Sequence, residues 1–207
     1  MQIDLGKETV SGFERTGSLN RRPRVILTAL TELRSKHILD LDSIPRYIEE
    51  LYGRYPKLRK QCRYQGKEFD RLFESHHEHM QAKNNNCQKC DSVQEVEREE
   101  RDSDDPMVHY GTLASGNQVI KNGLIRDALQ EKYGILCFEM EAAGLMNDFP
   151  CLLNRGTCDY SDSHKNKRWQ AWAASSAAAY AKELLSAIQP VEVEETQRAA
   201  ELLPKSM

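Results

Sequence analysis

Three polar clusters stand where apolar runs of the sequence end: Ser115-Gly116-Asn117 after MVHYGTLA, Glu139-Met140-Glu141 after ILCF, and Asp159-Tyr160-Ser161-Asp162 after CLLNRGTC. Ligands of open α/β sheets collect at the carboxyl ends of strands, so all three fall where chemistry is expected. The glutamate pair carries the most information. An ionised carboxylate buried without partners costs several kcal/mol, and one acid would suffice to face a helix dipole. Each cluster also has a plainer reading, because Ser, Asn and Asp close strands and cap helices. Three at one sheet edge favour a site.

A second chemistry is written into SHHEHM and CQKC. His76, His77 and His79 precede Cys87-x-x-Cys90 by a short loop, and imidazole and thiolate are the ligand types of zinc. The four candidate ligands are His76, His79, Cys87 and Cys90. The alternative is a surface histidine cluster beside a pair of loop thiols.

The elements that must position these groups follow from hydrophobic spacing. A helix is expected from Pro23 to about His37, with Val25, Leu27, Leu30 and Leu33 as its apolar stripe. A second opens at Ser43, with Pro45 in its first turn and Ile48, Leu51 and Tyr52 facing inward. MVHYGTLAS alternates as a half-buried strand, and NGLIRDALQEKYG reads as a helix stopped by Gly134. ILCF is a short buried strand, EAAGLMNDF a short helix and CLLNRGTC a further strand. WQAWAASSAAAYAKELL is a long helix, with Trp169, Trp172, Ala173, Ser176, Ala177, Tyr180 and Leu184 at helical spacing, and Pro190 closes it. The first twenty residues read as a loop. Residues 81–105 have almost no core-forming side chains and a dense charge run, which predicts a mobile acidic insertion. Strands alternating with helices give an α/β layered domain.

Composition narrows the class. The chain has 207 residues and a net charge of −3, without the basic excess of a nucleic-acid binder. LYGRYPKLRKQCRYQGK interleaves tyrosines with cations, but a solvated face accounts for it equally well. No apolar run reaches transmembrane length, and the first residues lack an apolar signal region. Six cysteines are too few for a disulfide scaffold of this size. A cytoplasmic protein is expected.

HYGTLASGNQVI, LCFEMEAAGLM and RGTCDYSDSHKN resemble the three motif blocks of the nucleoside phosphorylase and nucleosidase family. FERTGSLNR, EFDRLFE, CxxC and CDYSDSHKNKRWQ are similar to its fungal branch, whose domain often heads larger proteins with ankyrin, tetratricopeptide or NTPase modules. The resemblance runs from about Asp4 to Leu185. It implies a three-layer α/β/α domain that cleaves the N-glycosidic bond of a purine nucleoside, with phosphate as acceptor in phosphorylases, water in nucleosidases, and no cofactor. Carried over by motif, Glu141 accepts from the ribose diol, Met140 lies against the sugar, and Glu139 adds a further ribose contact. Ser115 and Gly116 line the same end, and Val119 takes a base-packing position that is often aromatic. Asp159 hydrogen-bonds the purine ring and helps protonate the leaving base, a contribution of about 10²–10⁴-fold.

The family domain ordinarily begins well before the QIDLGK segment. The resemblance therefore implies a partial domain over residues 1–189, followed by an acidic tail over 190–207. The half that handles the acceptor would then be absent and activity impaired. The alternative is a non-catalytic remnant or interaction module with a structural zinc loop. Expected partners are a nucleoside and either further copies of the chain or the missing half; neither nucleic acid nor a membrane is expected.

Overall fold

The computed structural model describes residues 1–10, 12–16, 23–39, 41–80, 87–146, 148–149 and 151–194. The expectations for residues 17–22, 81–86 and 195–207 lie outside these described residues.

Helices carry the main core. α1 (Arg24–Ile38) follows Pro23, and α2 (Ile44–Arg54) has Pro45 near its start, where a missing N–H breaks no helical bond. α1 turns Ala29 and Leu33 inward; α2 turns Ile44, Ile48 and Tyr52, each one helical turn from the next. They meet Ala179, Tyr180 and Leu184 of the long helix Gln170–Ala187, called α6 below. One carboxylate is buried there. Glu183 accepts the Ser43 N–H and pairs with His37 Nε2 at 2.9 Å, while Tyr110 Oη lies 3.0 Å from His37 Nδ1. A buried charge persists when its lone pairs are used in this way.

The sheet is small. β1 (Gly6–Thr9) and β2 (Gly12–Arg15) form an antiparallel hairpin where the composition predicts a loop. After α3 (Arg59–Cys62), β3 (Thr112–Ser115) pairs in parallel with β4 (Ile135–Glu139), setting Ser115 opposite Glu139. On the other side of β3, Gln2 forms a parallel bridge to Ser115, with Ile3 N–H donating to Ser115 O at 2.8 Å. α4 (Gly123–Tyr133) is the crossover between the two strands. Asn122 caps it by accepting the Ile125 N–H at 3.1 Å. Gly134 stops it in the left-handed region, φ 62°, where a Cβ would be strained. α5 (Ala142–Leu145) is one turn. α6 is the long helix of the core, and α7 (Pro190–Glu194) is a short turn that Pro190 begins, where the sequence predicts only a frayed tail. The result is a mixed α/β domain.

Three expectations are corrected. MVHYGTLAS becomes a strand only from Thr112, and Leu136 in the predicted buried strand is exposed. CLLNRGTC does not join the ladder at all. Asn154 Nδ2 donates to Ala177 O at 2.6 Å, and Gly156 lies so close to α6 that a Cβ would stand 1.9 Å from Ala173 O. The segment is drawn onto the helix instead of β4. The third concerns the charged insertion, which is tied down from Cys87 to Val96 and exposed beyond it. Glu74 N–H donates to Gln94 O and Val96 N–H to Leu72 O, Arg71 pairs with Glu95 at 2.8 Å, and Cys90 is buried. Composition counted too few apolar residues to order this stretch, but bonds to the 71–77 segment supply the order. Among the described residues no helix is long and apolar enough to cross a membrane.

Candidate functional site

The ends of β3 and β4 lie side by side, and their polar groups interlock. Ser115, fully buried, accepts the Ala143 N–H on its Oγ at 2.8 Å, and Gly116 N–H donates to Glu139 O at 3.3 Å. Glu139 is 5% exposed. Its Oε2 accepts the N–H groups of Glu141 and Ala142 at 2.8 and 2.9 Å, which caps α5 and places negative charge at a helix start. Its Oε1 is buried without a hydrogen-bond partner.

Glu141 behaves differently. Its side chain is 67% exposed, accepts the Met140 N–H at 3.0 Å and stands 3.4 Å from Arg155 Nη1. The amide bond from Met140, with Arg155 behind it, holds this carboxyl below its ordinary range. Met140 and Val119 are both exposed. On the far side of Gly116, Asp4 Oδ2 accepts the Asn117 N–H at 2.7 Å, which likewise lowers the Asp4 carboxyl.

Asp159 stands apart from this edge. Its Oδ1 accepts the Ser161 N–H at 3.0 Å and faces Lys165 Nζ at 3.4 Å, while Oδ2 lies 3.4 Å from the Cys158 thiol. Ser161 is left-handed, φ 55°. The loop is braced from outside: Tyr160 Oη donates to Asp70, Arg98 donates to Tyr160 Oη, and Arg126 Nη1 donates to Tyr160 O at 2.9 Å. Burial, and then the bond to Asp70, push the Tyr160 phenol up to about 12. Asp159 lines a cavity of about 1970 Å³ between α1, α6 and β4, with Leu27, Leu30, Leu136 and Trp172 among its walls. The structure therefore brings Ser115, Gly116, Glu139 and Glu141 together and sets Asp159 on the neighbouring loop.

A separate cluster lies under that loop. The ligand atoms of His79, Cys87 and Cys90 all lie within 4.8 Å of one another, as do those of His77, Cys90 and His164. Burial alternates along SHHEHM, with His77 and His79 inward and His76 and Glu78 exposed. Sequence spacing chose His76 with His79, which share a face only in a helix; period-two geometry selects His77 with His79. His164 lies 74 residues beyond Cys90, and no local signal ties them. Arg155 and Asp4 were also missed: Arg155 opens the RGTCDYSDSHKN block but carries no expected role there, Asp4 lies outside the three blocks, and each reaches the edge through tertiary folding.

No family model matches this chain, and no solved structure matches it. A protein of Hyaloscypha variabilis, described as a nucleotide-binding leucine-rich repeat (NLR)-like protein, is 44% identical over 190 residues. That stretch is 92% of this chain and 18% of the relative, so the chain spans less than a fifth of that protein's length.

Proposed function

We propose that the β3–β4 edge is the sugar-holding side of a nucleoside site, in a three-layer α/β/α domain of the phosphorylase and nucleosidase kind. The observation that carries this reading is Glu139 Oε1, a carboxylate oxygen buried without a partner beside Ser115 and two residues from the solvent-facing Glu141. A buried acceptor of this kind calls for a donor, and a hydroxyl supplies one without adding charge. A vicinal ribose diol supplies two. One hydroxyl donates to Glu139 Oε1 and the other to Glu141, with Met140 against the apolar face of the sugar.

Cleavage then needs a proton on the leaving base. As the glycosidic C–N bond breaks, its electron pair goes to the base, and Asp159 delivers a proton to the base ring. The sugar is left oxocarbenium-like, to be captured by phosphate or water. Lys165 Nζ stands 3.4 Å from Asp159 Oδ1, so that contact must open for the base to reach the carboxyl.

The test is calorimetric titration with adenosine, inosine and ATP, alongside assay of free base with and without phosphate. The expected result is binding that Glu141→Ala and Glu139→Gln weaken, with base release that Asp159→Asn abolishes while binding remains. A folded chain that binds no nucleoside overturns the reading.

A second reading is a recognition module that binds nucleoside without turnover inside a larger protein. It is favoured by the match to one short stretch of an NLR-like protein. Binding without base release, with or without phosphate, would select it.

A further inference from the structure

The cluster beneath the Asp159 loop has too many unmade bonds to be a finished structural feature. Among the described residues, Nε2 of His77, Nε2 of His79 and both ring nitrogens of His164 are buried with no hydrogen-bond partner. His164 is 5% exposed and is clamped between Phe73, stacked at 4.2 Å, and Asp162, whose Oδ1 accepts the His164 N–H at 2.9 Å. His79 N–H donates to Ser163 Oγ at 2.9 Å, fixing the histidine segment to the same loop. The short turn Cys87–Lys89 brings the two thiols together, with Cys90 N–H donating to Cys87 O at 3.2 Å and Arg71 holding Cys87 O at 2.6 Å. Two neighbouring segments and the distant His164 thus converge on one point, each pinned from behind by its own contacts.

We propose that Cys87, Cys90, His79 and His164 bind a zinc ion. The donor set of two sulfurs and two imidazoles is that of tetrahedral structural zinc, and no carboxylate enters either triad, as calcium or magnesium would need. Within each triad the ligand atoms need close by only about 1 Å to meet zinc at about 2.0–2.3 Å, and His164 must move in from the second triad to join the first. Cys90 belongs to both triads and is the shared corner. His164 is the fourth ligand in preference to His77, because the Asp162 carboxylate stands 3.6 Å from its Nδ1. That distance is too long for a hydrogen bond, but metal binding through Nε2 would let Nδ1–H close on the carboxylate, which would then fix the tautomer. A Cys87–Cys90 disulfide would leave every imidazole nitrogen as unpartnered as before. As the two Zn–S bonds form, each thiol releases its proton to solvent. The site ties the charged segment to the 159–164 loop, five residues from Asp159, and does not depend on the nucleoside reading.

The experiment is metal analysis of the reduced chain, purified without a polyhistidine tag, followed by cobalt titration of the metal-stripped protein. The expected result is one zinc per chain and a cobalt spectrum with thiolate charge-transfer bands and tetrahedral d–d intensity. Cys87→Ser and His164→Gln should weaken cobalt binding at least tenfold, while His76→Ala and His77→Ala retain it. Folded, reduced protein that takes up neither zinc nor cobalt overturns the proposal, as does a cobalt spectrum without thiolate bands. Full affinity in His164→Gln with loss in His77→Ala overturns the assignment of the fourth ligand.

Discussion

The glutamate edge and the histidine–thiol cluster are both buried and polar, and both border the 159–164 loop or its neighbours, yet they are finished to different degrees. At the edge, backbone amides of Glu141, Ala142 and Ala143 meet nearly every buried acceptor, and a single carboxylate oxygen is left over. In the cluster, four ring nitrogens are left without a hydrogen-bond partner among the described residues. An edge that satisfies itself has room for a ligand that comes and goes. A cluster that cannot satisfy itself calls for a permanent occupant.

Removing that occupant is the strongest way to break the comparison. Zinc held at about a thousand times its dissociation constant adds about 4 kcal/mol to a fold that binds it and whose unfolded chain does not. Chelation should therefore lower the unfolding free energy of the native chain in urea by that order and leave Cys90→Ser unmoved.

Glu139→Ala comes next. It strips two charge-assisted bonds from the start of α5 and should cost about 2–3 kcal/mol in chemical denaturation, whereas Glu139→Gln, which keeps the shape and an acceptor, should cost about 1 kcal/mol.

Tyr160 tests whether the loop between the two regions is braced as a unit. Its folded pKa stands above its ordinary value near 10, so the folded state holds the proton longer than the unfolded one. Its stabilisation is whole below pH 10 and is lost as pH climbs from about 10 toward about 12. Guanidinium unfolding between pH 9 and 11 should show a decline that Tyr160→Phe flattens, with the variant about 1 kcal/mol less stable at pH 8.

The smallest structural effect belongs to Glu141→Ala. Being exposed, it should move stability by less than about 0.5 kcal/mol, while lowering nucleoside affinity about tenfold or more. Equal losses in stability for Glu139→Ala and Glu141→Ala would erase the distinction drawn within the edge.

How much of this was legible depends on how far each signal reaches along the chain. α4 could be read to within a residue because its stop signals are local: Asn122 accepts a bond three residues on, and Gly134 takes a left-handed turn. α1, α2 and α6 were legible from the spacing of residues such as Ile44, Ile48 and Tyr52. The adjacency of Ser115 and Glu139 follows from a parallel crossover of ordinary length. CLLNRGTC looked like a strand by the same rules and is not one, because Asn154 and Gly156 answer to α6, not to a strand neighbour. Residues 87–98 looked unpacked for the opposite reason: their order comes from bonds to Leu72 and Glu74, which no count of apolar residues registers.

The sequence by itself determined α1, α2, α4 and α6, the segments that become β3 and β4, and the polar clusters at their ends, since periodicity and capping act within a few residues. Tertiary structure alone decided which glutamate is buried, which histidine faces the thiols and that His164 joins them. Those outcomes depend on desolvation and on partners tens of residues away, and burial is a property of the assembled surface, not of the chain.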